Sequence, residues 1–384
     1  MDFLRKYLLF LLLIANLTAE YILFMSASKY LFYTVLCLSI IFFLSKDFYS
    51  ITTVKMCSHI FILIGILVLY QLLFIFNLSN DSLLYFAGKL STFGIMMICI
   101  KHNFEFYLKK FILPFSYIIL LLIIVGYFLN QNIAGHITFG FMNRNAACAL
   151  ASIGFAGFLF VKDSYKAIDY ICMSILFITI LIGGSRNSLA MCLIFIVLRY
   201  GLSVRLTIIM LCLIAIIIFI LPQMGIEVEA FDRLVHTVTG DLATDRENQR
   251  RGALMMIQEK PWTGWGLASQ IQGKALSISH YGAHNGYLTL LMYMGYPLGI
   301  IFISIIIGGV IKRFFYYCIK DRILNYHLAV LISVLFAANQ EDFLVGVNQI
   351  ITNLFFVSFV ITGMYIYYYK NNYIIYSDET ELKQ

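Results

Sequence analysis

The feature that most constrains this chain is a succession of apolar runs near 20 residues long, recurring from one end to the other. Lipid offers no water to a bare backbone, so a run of this length crosses a bilayer as a helix that pairs its own N–H and C=O groups. The runs predict spans over 7–25, 30–45, 56–77, 82–100, 107–129, 145–161, 168–184, 188–200, 206–222, 286–311, 323–340 and 345–369. The expected fold is therefore an all-α polytopic membrane protein with about twelve crossings, built as one integral membrane domain over 1–384. The first run follows Arg5 and Lys6, and Ser26-Ala27-Ser28 offers small residues for signal cleavage. The next run begins at once and an even number of spans needs the first, so it is expected to stay.

Composition narrows the class further. Charged residues make up 12% of the chain, against roughly 25% in a soluble domain, so a soluble fold would lack the charge to cover its surface. Disorder, collagen and a disulfide-stapled secreted scaffold are excluded on the same grounds. The eight cysteines fall in or beside the apolar runs without metal-ligand spacing, and read as packing residues. No block of consecutive Lys and Arg suggests nucleic-acid binding.

The basic residues set the expected orientation. With the N-terminus in the cytoplasm, the inner connections hold Arg5, Lys6, Lys46, Lys55, Lys101, Lys109, Lys110, Lys162, Lys166, Arg199, Arg205, Lys312, Arg313, Lys320, Arg322, Lys370 and Lys383, while the short outer loops hold almost none. The positive-inside rule then puts both termini in the cytoplasm, with 370–384 as a cytoplasmic tail. It puts 223–284, a long hydrophilic stretch, outside. Within that loop Arg246 to Ile257 has helix-forming composition, with Ala253, Leu254, Met256 and Ile257 on an apolar face and Asp245 near its start. Pro261, Gly264 and Gly266 break it, which predicts a short helix along the outer face and re-entry near His284.

A charge at the bilayer centre costs roughly 2.5–3.5 kcal/mol even on the lenient insertion scale, so ionisable groups near the spans need a reason. Arg144 lies in Phe141-Met142-Asn143-Arg144-Asn145, and Arg186 in Gly183-Gly184-Ser185-Arg186 between two spans. Arg246, Arg250 and Arg251 lie in the long loop, His284 with Asn285 and Tyr287 opens the tenth span, and Lys89 sits inside the fourth. Singly, each has a structural explanation: a snorkelling Arg186, a solvated edge for Arg250 and Arg251, a buried partner for Lys89, a cap-region role for His284. Trp262 and Trp265 read as interfacial belt residues. Together, guanidiniums gathered at one mouth suit a phosphate-bearing lipid, because their planar forks bind phosphate oxygens and stay charged. A neutral histidine beside them can take a proton from a hydroxyl near pH 7. Paired carboxylates, a Walker loop, a GxSxG elbow and an HExxH helix are not seen, which argues against a hydrolase or an ATP-driven pump.

The order Phe-x-Asn-x-Asn at 141–145, Ser-Arg at 185–186, Arg246 ahead of Pro261, Gly264-Trp265-Gly266 and Ala283-His284-Asn285 resembles the O-antigen ligase and polymerase superfamily. The segment Met294-Gly295-Tyr296-Pro297-Leu298-Gly299 is similar to that family's glycine-proline ending. The resemblance covers about residues 140–300. It implies a GT-C-type glycosyltransferase that needs no metal or other cofactor and takes an undecaprenyl-diphosphate-linked glycan as donor. It also implies that Arg186 and Arg246 bind the diphosphate and that His284 is the base or orients the acceptor. Arg250, Arg251, Lys89, Asn143, Asn145, Asn285 and Tyr287 then bind substrate. Arg250 stands where the family often has Trp, which leaves open which loop arginine is essential.

The reading that this resemblance favours is a repeat-unit polymerase of O-antigen or capsular polysaccharide in the bacterial inner membrane, with its site facing the periplasm. A ligase that transfers the glycan to lipid A-core is the alternative, and a transporter or flippase of lipid-linked sugars is a third reading. Expected partners are the lipid-linked donor, a glycan or lipid A-core acceptor, membrane lipids, a chain-length regulator and a flippase.

Overall fold

The computed structural model describes residues 2–43, 45–77, 79–129, 132–133, 136–162, 164–201, 243–268, 283–317 and 322–370. The expected ninth span at 206–222, much of the long loop and the tail after residue 370 lie outside them. The described chain is helical: α1 (Asp2–Ala19), α2 (Met25–Phe43), α3 (Ile51–Met56), α4 (Ser58–Leu73), α5 (Asn80–His102) and α6 (Ile112–Leu129) come first. They are succeeded by α7 (Arg144–Val161), α8 (Ala167–Ile182), α9 (Arg186–Tyr200), α10 (Ala243–Glu259), α11 (Gly286–Tyr317), α12 (Arg322–Ala337) and α13 (Ile350–Lys370). The fold is all-helical as expected, with a minimal antiparallel pairing of Asn132–Ile133 and His136–Ile137 between α6 and α7.

Six of these helices are long and apolar enough to cross a membrane, and the apolar helices Ser58–Leu73, Ala167–Ile182 and Arg322–Ala337 are shorter. A polytopic membrane protein is thus plain, although the described residues carry fewer full-length spans than the twelve expected. Part of the difference is local chemistry. The expected span 56–77 is split, with Ser50 capping α3, a break at Cys57, and α4 ending at Leu73. The expected inner connection near Lys312 and Arg313 is instead helix, because α11 runs on to Tyr317. Arg313 is buried there and donates to the Gly309 and Phe359 carbonyls at 2.8 and 3.1 Å, which ties α11 to α13.

Small residues set how closely the central helices approach. α7 carries Ala146, Ala147, Ala149, Ala151, Gly154, Ala156 and Gly157, and all of them are buried. A Cβ on Gly157 would lie 2.0 Å from the Ser116 hydroxyl of α6, so that contact requires glycine. Cys57, Cys99, Cys148, Cys172 and Cys192 are buried free thiols, as packing residues should be, whereas Cys37 is exposed.

The helix at 243–259 forms as expected, with one change. Ala253, Met256 and Ile257 are buried against Ala283 and Met292, but Leu254 is exposed, outside the stripe that packs on α11. Beyond α10 the chain exchanges hydrogen bonds with α11. That helix is broken at Gly295, whose φ of 71° and ψ of 178° lie outside the helix, and Pro297 has no N–H to give the Tyr293 carbonyl. The loop after α10 supplies the missing partners: Trp265 N donates to Met292 O at 2.9 Å, Gly266 N donates to Tyr293 O at 3.1 Å, and Tyr296 N donates to Pro261 O at 2.7 Å. Trp265 also gives its indole N–H to Met256 O at 2.8 Å, so it braces α10. From the other side Tyr70 of α4 donates to Thr263 O at 2.9 Å.

Two glycines, Gly264 and Gly295, permit this contact. Gly264 has φ of 62°, and a Cβ there would lie 2.3 Å from Tyr293 O. The left-handed conformation alone costs a non-glycine residue roughly 1–2 kcal/mol, before the clash with backbone. Gly264→Ala is expected to lower the thermal midpoint of the detergent-solubilised protein by several degrees, read by fluorescence. An unchanged midpoint would show that the loop is not held by α11.

Candidate functional site

Three helices begin at the same end of the bundle, each with its own cap. Asn143 precedes α7 and its side-chain oxygen accepts from Asn145 N at 2.8 Å. Ser185 precedes α9 and accepts from Ser188 N at 3.4 Å. Asn285 precedes α11 and accepts from Tyr287 N and Leu288 N, both at 3.0 Å. Helix N-termini carry partial positive charge and unpaired N–H groups, so this convergence favours an anion even before side chains are counted.

The connection between α8 and α9 is only Gly183, Gly184 and Ser185. Gly184 has φ of 65°, and a Cβ on Gly183 would come 2.3 Å from the Cys148 sulfur. This tight turn puts Arg186 at the first position of α9. There it lines a small cavity with Asn145, Gly184, Ser185, Asn187, Gln340 and Glu341.

The link between the three helix starts is a residue that no sequence motif singles out. Glu341 lies between α12 and α13, with its side chain 5% exposed. Its Oε1 accepts from Asn145 Nδ2 at 2.8 Å, and its Oε2 stands 3.8 Å from His284 Nδ1. The second distance is too long for a hydrogen bond and suits an ion pair with a protonated ring. The neighbouring Asp342 accepts from Thr289 Oγ1 of α11 at 2.8 Å. An adjacent pair of acids, not expected from the sequence, therefore faces the start of α11. Its signal in the sequence is modest: Asn339-Gln340-Glu341-Asp342 is a polar patch in a short connection otherwise expected to lack charge.

His284 itself is held in an unusual backbone state, φ of 42°. Such a conformation is sustained only where neighbours over-determine it. Here Gly286 N donates to both Ala338 O at 2.8 Å and Glu341 O at 3.1 Å, and Asn285 Nδ2 donates to Asn339 O at 2.8 Å. The ring is 37% exposed at the mouth of the site.

The other expected site residues divide by position. Arg250 reaches the same connection, with Nη2 at 3.5 Å from Asn339 O. Arg251 pairs with Glu247 at 3.0 Å, with both groups exposed, a contact of small energetic weight. Arg246 lies in α10 one turn before Arg250, and its side chain is outside the described residues. Tyr287 donates its hydroxyl to Leu335 O at 2.7 Å, so it ties α11 to α12. Lys89 is buried in α5 and donates to Gly346 O at 2.8 Å, while Tyr85 donates to Val345 O at 2.7 Å. Both hold the 338–349 connection from beneath. The structure thus brings Asn145, Arg186, Arg250, His284 and Asn285 around one connection; Lys89 supports that connection, while Tyr287 ties α11 to α12.

Residues 171–303 match the family described as O-antigen ligase. That match supports the O-antigen polymerase and ligase superfamily. The matched segment runs from α8 into the second half of α11, and so takes in Arg186, Arg246, the Pro261 to Gly266 loop, His284 and the Gly295 break. Asn145 and Glu341 lie outside it. No curated protein matches the chain.

A hydrogen bond from a charged donor contributes about 1.5–3 kcal/mol, and removing Lys89 would leave the Gly346 carbonyl without that donor. Lys89→Met, which keeps the apolar stem, is expected to destabilise the protein by about that amount. The measurement is thermal unfolding in detergent, and a wild-type midpoint would free Lys89 from its supporting role.

Proposed function

We propose that this chain polymerises undecaprenyl-diphosphate-linked oligosaccharide repeat units into O-antigen or capsular polysaccharide at the outer face of the bacterial cytoplasmic membrane. The observation that carries the proposal is the meeting of Arg186, Arg250, Asn145 and His284 around the Glu341 connection, beside three helix N-termini. The match over 171–303 supports the same chemistry. In this reading the fold is GT-C-type with about twelve crossings, both termini cytoplasmic and no metal in the reaction.

The chemistry derives from charge. As the glycan leaves, negative charge builds on the diphosphate, and preorganised cations at that point stabilise the transition state more than the bound donor. Arg186 and Arg246 bind and neutralise the diphosphate, with Arg250 and Arg251 at the edge. His284 takes the acceptor hydroxyl's proton as that oxygen attacks the anomeric carbon. Asn143, Asn145 and Asn285 fix the helix starts and line the donor's path, while Lys89 acts through the connection it holds and Tyr287 through the α11–α12 contact. The chain would work with a flippase that delivers donor and a regulator that sets chain length.

The second reading is an O-antigen ligase with lipid A-core as acceptor, favoured by the description of the matching family. Deletion of the gene and electrophoresis of surface glycan separates the two. One repeat still attached to core means polymerase, and bare core with lipid-linked polymer accumulating means ligase.

Arg186→Ala, Arg246→Ala and His284→Ala are each expected to abolish long-chain glycan at normal protein level. Ordinary ladders from all three would remove the assignment. Arg186→Lys is also expected to impair transfer, because an ammonium cannot reproduce the two-pronged grip of a guanidinium. Full activity in that variant would reduce Arg186 to a source of charge.

A further inference from the structure

We propose that Glu341 is a positioning residue that orients the His284 imidazole and stabilises it once it carries the transferred proton. The inference rests on the transferase reading and deepens it. Glu341 is held on both sides of its own chemistry. One carboxylate oxygen accepts from the Asn145 amide at 2.8 Å, and the other stands 3.8 Å from His284 Nδ1. The backbone repeats the pairing, since the Glu341 carbonyl accepts from Gly286 N at 3.1 Å, two residues beyond the histidine. Side chain and main chain therefore fix the two residues in one register.

The geometry selects a tautomer. A carboxylate facing Nδ1 favours a proton there, which makes Nε2 the nitrogen that carries the lone pair. In the transfer, Nε2 takes the proton of the acceptor hydroxyl while that oxygen bonds to the anomeric carbon. The bond from that carbon to the diphosphate oxygen breaks, and its electron pair leaves with the lipid diphosphate. The ring becomes an imidazolium opposite Glu341, which stays ionised, and later releases the proton to solvent.

The surroundings make such a counter-charge necessary. Arg186 lines the cavity that holds Glu341, Arg144 opens α7, and Arg250 from α10 reaches Asn339. These cations disfavour a further positive charge on His284. Asp342 is engaged by Thr289 of α11. Among the described residues, Glu341 is the acid paired with His284.

Glu341→Gln keeps an acceptor for Asn145 and deletes the charge, whereas Glu341→Asp keeps the charge and draws it back. Two readouts are taken on full-length protein in membrane vesicles. One is transfer of the host's own lipid-linked glycan as a function of pH. The other is carbethoxylation of His284 by diethyl pyrocarbonate across pH, read by peptide mass spectrometry, which reports the neutral ring whether or not transfer occurs. For Glu341→Gln, kcat is expected to fall about 10²-fold with little change in KM. The His284 midpoint and the acid limb of the rate profile should both move down by about one pH unit. Glu341→Asp should recover much of both. An unchanged midpoint, with or without loss of rate, overturns the proposal and leaves Glu341 as a structural tie to Asn145. A lowered midpoint in a protein whose wild type transfers nothing would uphold the pairing and sink the transferase reading instead. If Glu341→Gln does not accumulate, Glu341→Ala takes its place: a His284 midpoint below the wild-type value supports the pairing, and an unchanged one overturns it.

Discussion

An unpaired backbone group in lipid costs several kcal/mol, and the structure depends on how that cost is avoided where α11 breaks. At Gly295 and Pro297 the helix cannot supply donors to the Met292 and Tyr293 carbonyls. The 261–266 loop supplies them from Trp265 and Gly266 and receives Tyr296 N–H in return. The exchange anchors the end of α10, and α10 in turn lays Ala253, Met256 and Ile257 on the first half of α11. Arg250 is thereby held against the connection that carries Glu341. A motif that reads as a string of glycines and a proline is, physically, the repair of a broken hydrogen-bond ladder.

Much of this was legible in the sequence because it is written in local chemistry. Apolar runs predicted the helices α5, α6, α7 and α13 to within a few residues, and Pro261 marked the end of α10 correctly. Arg186 and His284 stood out because charge beside an apolar span is expensive. Asn143 and Asn285 stood out by motif and turned out to cap the helices they precede. The minimal hairpin at 132–137 has no such periodic signal, and its two residues per strand are too few to produce one.

The features that were not legible depend on contacts far apart in the chain. Leu254 looked like a core residue by composition, yet only the docking of α10 on α11 decides which stripe is covered. Lys89 read on its own as a buried residue with a partner in the bundle, and as a substrate contact only by the family resemblance. That partner is the Gly346 carbonyl, 257 residues away, which no spacing rule could reveal. Glu341 is the sharpest case. Its meaning comes from Asn145, 196 positions earlier, and from a histidine on a third element, so nothing in its own neighbourhood marks it out.

A mouth built only of cations and helix N-termini would grip the anionic donor, but it would grip the departing diphosphate at least as firmly. It would also resist the imidazolium that the reaction must create. Tight binding of donor alone lowers KM without raising kcat, so a catalyst of this kind needs an interaction that strengthens only as the proton moves. A carboxylate at 3.8 Å from a neutral ring has that character. It contributes little while the histidine is uncharged and a full ion-pair attraction, in a largely buried setting, once the ring is protonated. The amide on its other oxygen helps to fix the carboxylate in that place. On this argument the acid is placed among arginines because it serves the histidine at the moment of transfer, whereas the arginines serve the phosphate.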